Sequence, residues 1–187
     1  LIMRSYKLPG NRLRLLHTNE NRGVVTIDEE RDYHFRYVLE DNFGNRRTYQ
    51  FTVKGKRQDI PEYKPEANEM LYWNRTNVIQ KPGMELVVPR YYVYEDVPLR
   101  TDMRGDSSLI AFDYILDAGR TPIHSYCDLS IGLRHMPVAD TTKYYIVQKA
   151  GKWRSSMGGK YANGWIKTRV RSLGTFSVDV DTIAPQI

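Results

Sequence analysis

The stretch DYHFRYVLEDNFGNRRTYQFTVKGK, residues 32–56, decides the fold class of this 187-residue chain. Aromatic and apolar side chains occupy every second position from Tyr33 to Leu39 and again from Tyr49 to Val53. Period two is the signature of a β-strand with one buried face. Residues 41–45 between the runs supply turn chemistry, because Gly44 can take a positive φ at no steric cost. The stretch therefore predicts an antiparallel hairpin with Gly44 in its turn.

Similar short runs recur along the chain, separated by Gly, Pro and Asn, and no segment has a sustained apolar period of 3.6 residues with caps. This pattern is typical of an all-β protein. It predicts an immunoglobulin-like or fibronectin-like β-sandwich domain, preceded by a smaller, incomplete β-sandwich unit. The further predicted strands lie at residues 23–28, 84–89, 109–116, 127–133, 143–149, 165–171 and 175–180.

A charged segment with two prolines and no alternation separates the two parts of the chain. It predicts a linker at residues 57–67, between a partial β-sandwich unit over residues 1–56 and an immunoglobulin-like sandwich over residues 68–187. The last residues, SLGTFSVDVDTIAPQI, predict a turn at Leu173-Gly174, a strand and a proline-containing exit at Ala184-Pro185. We interpret this exit as the start of a linker to a further domain.

Composition argues against several classes of protein. The net charge of +6 is divided evenly, since residues 1–66 carry 13 Lys/Arg and 10 Asp/Glu and residues 67–187 carry 15 and 12. There is thus no basic domain that would favour nucleic acid. No stretch approaches the roughly 20 apolar residues of a membrane span. The single cysteine, Cys127, cannot form an internal disulfide, and its apolar neighbours predict a buried, unreactive thiol.

Residues for catalysis are scarce in the sequence. No two of its histidines are spaced as the metal-binding pairs HxH or HExxH, and neither a GxSxG nucleophile motif nor a phosphate-binding glycine loop occurs. The sequence therefore predicts no catalytic residue, no metal site and no cofactor. One histidine alternates to the polar face of the predicted hairpin. The four are His17, His34, His124 and His135.

A basic and aromatic stretch from Thr141 to Val178 contains eight Lys/Arg and no acid. Aromatic rings beside cations suit sugar rings and anionic glycans. The favoured interpretation is nevertheless a solvated face, because the cations occupy every second position of a half-exposed strand and can also protect a sheet edge. Glycan binding is the alternative. Its candidate residues are Trp153, Lys160, Tyr161, Trp165, Lys167, Arg169 and Arg171.

Two long stretches carry a resemblance to a known family. GNRLRLLHTNENRGVVTIDEERDYHFRYVLEDNFGNRRTYQFTVKGK, residues 10–56, resembles the region that follows the catalytic domain in bacterial lysostaphin-type (LytM-type) zinc endopeptidases, which cut peptidoglycan cross-links. PIHSYCDLSIGLRHMPVADTTKYYIVQKAGKWRSSMGGKYANGWIKTRVRSLGTFSVDVDTIAPQI, residues 122–187, resembles the immunoglobulin-like module farther along those proteins. The family's zinc motifs, HxxxD and HxH, are absent here, so no catalytic residue is carried over.

The resemblance implies a non-catalytic accessory region of a larger cell-envelope peptidase, which spaces or orients a catalytic domain. The implied partners are that catalytic domain in the same chain and peptidoglycan or an anionic glycan. The implied location is the periplasm or cell envelope, with an export signal upstream of Leu1. The alternative is an independent glycan-binding or adhesion module of a bacterial surface protein. An upstream HxxxD followed by HxH favours the first interpretation, and a lipoprotein signal running directly into Leu1 favours the second.

Overall fold

The protein is all-β. The computed structural model describes residues 6–12, 14, 17–59, 66–106 and 108–182, and within these ranges it has thirteen strands, one 3₁₀ turn at Thr141–Lys143 and no α-helix. No helix in the described ranges has the length and apolar character needed to cross a membrane. The chain divides into two compact units, the first made of Leu1–Lys7 and Arg14–Lys64, the second of Leu8–Leu13 and Pro65–Ile187. Most of the predicted linker, at residues 60–65, and the predicted exit at Ala184-Pro185 lie outside the described residues.

The first unit contains the predicted hairpin. β1 (Asp32–Glu40) pairs antiparallel with β2 (Arg46–Lys54), and Phe35 lies opposite Phe51. Gly44 has φ 82°, as expected from the turn. The Asp41 carboxylate accepts hydrogen bonds from the backbone N–H groups at positions 43 and 45 and from the Asn45 amide. The hydrogen bonds from Asn45 lower the pKa of Asp41. The hairpin prediction is confirmed.

Burial in this hairpin differs from the prediction. Only Tyr33 on the aromatic face is buried, while Phe35, Phe51 and Val53 are half-buried. The rings contact one another instead, and the Phe35 and Phe51 ring centroids are 5.1 Å apart in a stacked arrangement. The alternating pattern therefore formed the two strands, although no second layer among the described residues covers the whole aromatic face. Tyr37, Leu39 and Tyr49 are the exposed members of that face.

The second unit contains eleven strands among the described residues, in two antiparallel sheets. The six-stranded sheet has the order β10-β9-β13-β7-β6-β3, and the five-stranded sheet has the order β11-β12-β8-β5-β4. The strands are β3 (Glu69–Leu71), β4 (Asn77–Lys81), β5 (Met84–Val88), β6 (Val97–Arg104), β7 (Asp113–Asp117), β8 (Cys127–Gly132), β9 (Tyr144–Ala150), β10 (Trp153–Ser156), β11 (Lys160–Ala162), β12 (Trp165–Val170) and β13 (Gly174–Val180).

One hydrophobic core lies between these two sheets, and both sheets contribute alternating side chains to it. Leu116, Ile146 and Phe176 come from the six-stranded sheet, and Leu129 and Ile166 come from the five-stranded sheet. All five are fully buried. The second unit is therefore a β-sandwich.

The predicted strands agree with the structure in most of the second unit, but β7 begins at Asp113 rather than at residue 109, and β13 begins at Gly174 rather than after it. The predicted strand at residues 23–28 is wrong, since Val24, Val25 and Ile27 are exposed and lie in no strand. An alternating run forms a strand only where a neighbouring strand accepts its hydrogen bonds. Five observed strands were not predicted, because they are short or polar: β3, β4, β6, β10 and β11.

The chain passes from one sheet to the other between β10 and β11. Met157 N–H donates to the Ile146 carbonyl, and Ile146 N–H donates to the Gly158 carbonyl. The Thr168 hydroxyl donates to the Met157 carbonyl at 2.7 Å. These bonds tie the crossing to both sheets, so β11 and β12 follow directly at the edge of the five-stranded sheet.

Candidate functional site

Five of the seven predicted binding residues lie on the hairpin of β11 and β12, and four of these five share its outer face. Ala162 pairs with Trp165, which leaves a two-residue turn made of Asn163 (φ 50°) and Gly164 (φ 85°). Positive φ at both central residues defines a type I′ turn, for which Asn-Gly is the preferred sequence. The dipeptide Asn163-Gly164 is therefore a sequence signal for this hairpin that the prediction did not use.

The hairpin presents its cations on the outer face of the five-stranded sheet. Ile166 is buried, whereas Lys167 and Arg169 are exposed, as the alternation predicts. Lys160 lies directly opposite Lys167 across the pair, and Arg169 lies opposite Asp128 of β8. Two lysines in cross-strand register repel each other, which makes this part of the surface attractive to anions.

Trp165 stands at the end of the same face. Its indole lies over Gly132 of β8, because a Cβ placed on Gly132 would be 3.6 Å from three of the indole carbons. Trp165 is half-buried and lines a cavity of about 490 Å³, a volume within the usual range of small-ligand sites. The other residues that line this cavity are Pro82, Gly83, Phe112, Tyr114, Gly132, Leu133, Arg134, Asn163 and Gly164. We call it the Trp165 groove.

Backbone hydrogen bonds join the end of β8 to two separate turns beneath the Trp165 groove. Gly132 N–H donates to the Gly83 carbonyl at 2.9 Å, and Leu133 N–H donates to the Gly164 carbonyl at 2.8 Å. The groove is therefore built on the paired ends of strands rather than on a free loop. A rigid base of this kind favours a preformed site.

The lining of the Trp165 groove also contains residues that the sequence prediction missed. The Arg134 guanidinium lies over the Phe112 ring, 4.1 Å from its centroid, and also donates to the Asp106 carbonyl. Tyr114 is buried, its hydroxyl donates to the Pro82 carbonyl at 2.7 Å, and burial raises its pKa. No local motif marks Arg134 or Phe112, because they approach Trp165 only through the sheet.

Three of the predicted residues lie apart from this face or beyond its strands. Trp153 is in β10, the edge strand of the other sheet, where it pairs with Ala150 and is 81% exposed. Tyr161 pairs with the buried Ile166, so it points to the opposite side of the hairpin from the lysines. Arg171 follows the last residue of β12 and is exposed. The structure thus groups Lys160, Trp165, Lys167 and Arg169.

The basic stretch from Thr141 to Val178 contains no acid, but two of its cations contact acids from outside the stretch. Lys149 Nζ is 2.6 Å from the Asp113 carboxylate, and Arg154 is 3.0 Å from the Asp179 carboxylate. Both acids come from other strands of the six-stranded sheet. These two cations have structural partners, and the candidate cationic surface is therefore on the five-stranded sheet.

Cys127, His34 and His124 are side chains with catalytic chemistry, and each has defined neighbours in the structure. Cys127 is buried, as predicted, and burial raises the pKa of its thiol to about 12. His34 is exposed and its Nδ1 lies 3.0 Å from the Thr52 hydroxyl, which agrees with the predicted polar face. His124 Nδ1 lies 2.8 Å from the Tyr94 hydroxyl. No cluster of three or more potential metal-ligating His, Cys, Asp and Glu side chains occurs within the described ranges.

A second cavity, of about 610 Å³, lies along the edge strands β3 and β4. Its polar side chains have structural roles. The Asn77 side chain bonds both backbone groups of Tyr72, and the Asn68 side chain does the same for Thr101. Lys81 pairs with Glu69 at 3.0 Å. These side chains stabilise the edge of the sandwich, so the Trp165 groove is the better candidate for a ligand-binding site.

The fold and the groove define a β-sandwich domain with an aromatic and cationic outer surface. The sequence model of the Zu5-like domain matches residues 68–181, more than half of the chain, and this range contains all the strands from β3 to β13. The chain belongs to the Zu5-like domain family. No curated protein and no solved structure matches the chain significantly.

Proposed function

We propose that this chain is a non-catalytic accessory region of a larger cell-envelope peptidase, in which it spaces or orients the catalytic domain against peptidoglycan. The observation that carries the proposal is the resemblance of residues 10–56 and 122–187 to the regions after the catalytic domain of lysostaphin-type endopeptidases. A sandwich with one continuous core suits a spacer, because close-packed interiors transmit force with little deformation.

Activity of the parent protein on two substrates tests this role. Deletion of the chain should lower the cleavage rate on intact, insoluble peptidoglycan at least tenfold. It should leave the rate on a short soluble cross-link peptide unchanged, because the small substrate needs no orientation. Equal rates on peptidoglycan with and without the chain, or equal losses on both substrates, would refute the proposal. The upstream coding sequence should contain HxxxD and a later HxH.

A second function, glycan binding, is favoured by the Trp165 groove. The Trp165 indole covers Gly132 and is half-buried, so the exposed part of its ring can contact the apolar face of a sugar ring. Arg134 also lines the groove and, besides the donor that it uses on the Asp106 carbonyl, has further N–H groups for a ligand. The Lys160 and Lys167 pair on the same sheet face would attract the carboxylates of an anionic glycan. The expected ligand is thus a glycan strand with acidic substituents, as in peptidoglycan.

Binding to purified peptidoglycan separates a site from a merely basic surface. Trp165→Ala should abolish sedimentation with peptidoglycan even at about 0.5 M salt, where charges are screened beyond roughly 4 Å but ring contacts are not. Trp153→Ala is the matched control, since Trp153 is exposed on the other sheet, and it should bind as the unmodified chain does. Equal effects of the two substitutions, or no binding at all, would exclude the groove.

The lysines allow a complementary test. Lys160→Gln with Lys167→Gln should weaken binding at low salt and have little effect at high salt, because their contribution is electrostatic. Lys152→Gln, in the exposed turn between β9 and β10, removes a similar charge from another surface and should change little. If Lys152→Gln weakens binding as much as the double substitution, only net charge matters and the proposed surface is wrong.

A further inference from the structure

A second aromatic and cationic cluster surrounds Tyr91 in the loop between β5 and β6, away from the binding residues predicted from the sequence. The Tyr91 ring has two guanidinium groups against it, Arg12 at 3.8 Å and Arg90 at 4.4 Å from the ring centroid. The Trp73 ring lies beside it, with centroids 6.0 Å apart. Both arginines are exposed and Tyr91 is half-buried. All four residues belong to the second unit.

Tyr91 adopts a backbone conformation that is costly for its residue type. Its φ is 70°, in the left-handed region that bulky side chains rarely enter. Hydrogen bonds hold it there, from Tyr91 N–H to the Trp73 carbonyl at 2.9 Å and from Tyr92 N–H to the Pro89 carbonyl at 3.1 Å. Glycine or asparagine would fit this position with less strain. Residues kept in such conformations concentrate at ligand sites, where the strain orients a side chain.

Arg12 reaches Tyr91 through a contact that requires glycine. Gly10 N–H donates to the Tyr94 carbonyl at 2.6 Å, and a Cβ on Gly10 would lie 2.9 Å from that carbonyl oxygen and 3.0 Å from the Tyr94 Cα. The backbone of the segment at residues 8–12 therefore approaches the loop as closely as possible. This approach brings a second cation to a ring that Arg90 already contacts.

We propose that Arg12 and Arg90, held against Tyr91, form a binding site for an oxyanion, either a carboxylate or a phosphate group. A guanidinium over a ring uses its flat face, so its N–H donors still point outward along its edge. The Arg12 and Arg90 guanidinium carbons lie 3.8 and 4.4 Å from one ring centroid, so they lie against the two faces of the ring. An oxyanion at the edge of the ring can accept a hydrogen bond from each and offset the repulsion between the two cations. The site is independent of the Trp165 groove.

Titration of the isotope-labelled chain with inorganic phosphate and, separately, acetate tests the proposal by NMR. The Nε–H signals of Arg12 and Arg90 should shift saturably, with a Kd on the order of 1 mM that rises with added NaCl. Arg12→Gln and Arg90→Gln should each weaken binding at least tenfold. Preference for phosphate or for acetate identifies which oxyanion the site takes.

Three further variants test whether these residues form the anion site. Gly10→Ala should weaken anion binding as Arg12→Gln does, although it removes no charge. Tyr91→Asn, which tolerates a positive φ, should lose binding without loss of thermal stability. Arg31→Gln removes a single arginine from the Tyr33 ring of the first unit and should have no effect. No saturable shift with either anion, or equal losses in all variants including Arg31→Gln, would overturn the assignment.

Discussion

In β12 of the second unit, Ile166 and Val170 are 0% and 1% exposed, whereas in β1 of the first unit Tyr37 and Leu39 are 41% and 59% exposed. Both strands belong to antiparallel pairs and both alternate apolar with polar residues. The difference is the second layer. β12 faces the six-stranded sheet across one continuous core, while the outer half of the aromatic face of β1 and β2 faces no such layer within the described residues.

Alternation determines which side of a strand is apolar, and a packed second sheet determines whether that side is buried. In the first unit, cross-strand contacts replace part of the missing burial. The Phe35 and Phe51 ring centroids are 5.1 Å apart, and those of Tyr37 and Phe51 are 5.9 Å apart. Cross-strand aromatic pairs contribute up to about 1 kcal/mol each, which is less than burial of a large side chain.

The largest expected effect is in the core of the second unit. Leu129→Ala should lower the free energy of unfolding by about 2–5 kcal/mol, because Leu129 is fully buried between the sheets and its truncation leaves a cavity. Urea unfolding followed by tryptophan fluorescence measures the loss. Leu129→Met, which keeps the volume, should cost less than about 1.5 kcal/mol. A loss below 1 kcal/mol for the alanine variant would show that the core is loosely packed.

The thiol of Cys127 provides a second measure of core closure. Burial raises its pKa to about 12 from an ordinary 9.0, so at pH 8 the folded chain should be alkylated about 1,000-fold more slowly than the unfolded chain. Since the folded pKa is the higher one, the thiol favours the folded state fully below pH 9. This contribution declines as the pH rises from 9 towards 12. Alkylation at comparable rates in folded and unfolded chains would contradict closure.

The turn of the first unit should show an intermediate effect. Gly44→Val should destabilise the hairpin by about 1 kcal/mol or more, because a β-branched residue is strained at φ 82°. The space around Gly44 is open, so the cost comes from the backbone alone. Hydrogen exchange of the β1 and β2 amides measures it. Gly44→Asn tolerates this conformation and serves as the control, and equal exchange in both variants would place the strain elsewhere.

The smallest effect is expected on the exposed face of the hairpin. Leu39→Thr should change the free energy of unfolding by less than about 0.5 kcal/mol, because the side chain loses little burial and threonine suits a strand. The same hydrogen-exchange measurement applies, with Tyr33→Thr at the buried end of the face as the matched comparison. A large loss for Leu39→Thr would show that this face is covered in solution.

Much of the local structure could be predicted from the sequence. Strand alternation, the Gly44 turn, the polar position of His34 and the burial of Cys127 each follow from neighbouring residues. The strand predicted at residues 23–28 did not form, because its apolar residues found no partner strand. The short strands β10 and β11 were missed since a few polar residues carry too weak a pattern, although Asn163-Gly164 marks the turn after β11.

The all-β class and the side chains that share a face of each strand can be predicted from the sequence, because backbone geometry sets the period of two over a few residues. Which faces pack together depends on the tertiary structure. It separated Trp153 from Trp165 by placing them on different sheets, although they are close in sequence. It joined Arg134 to the Trp165 groove and Arg12 to Tyr91, which are distant in sequence. Such contacts depend on strand order and packing, and no local pattern encodes either.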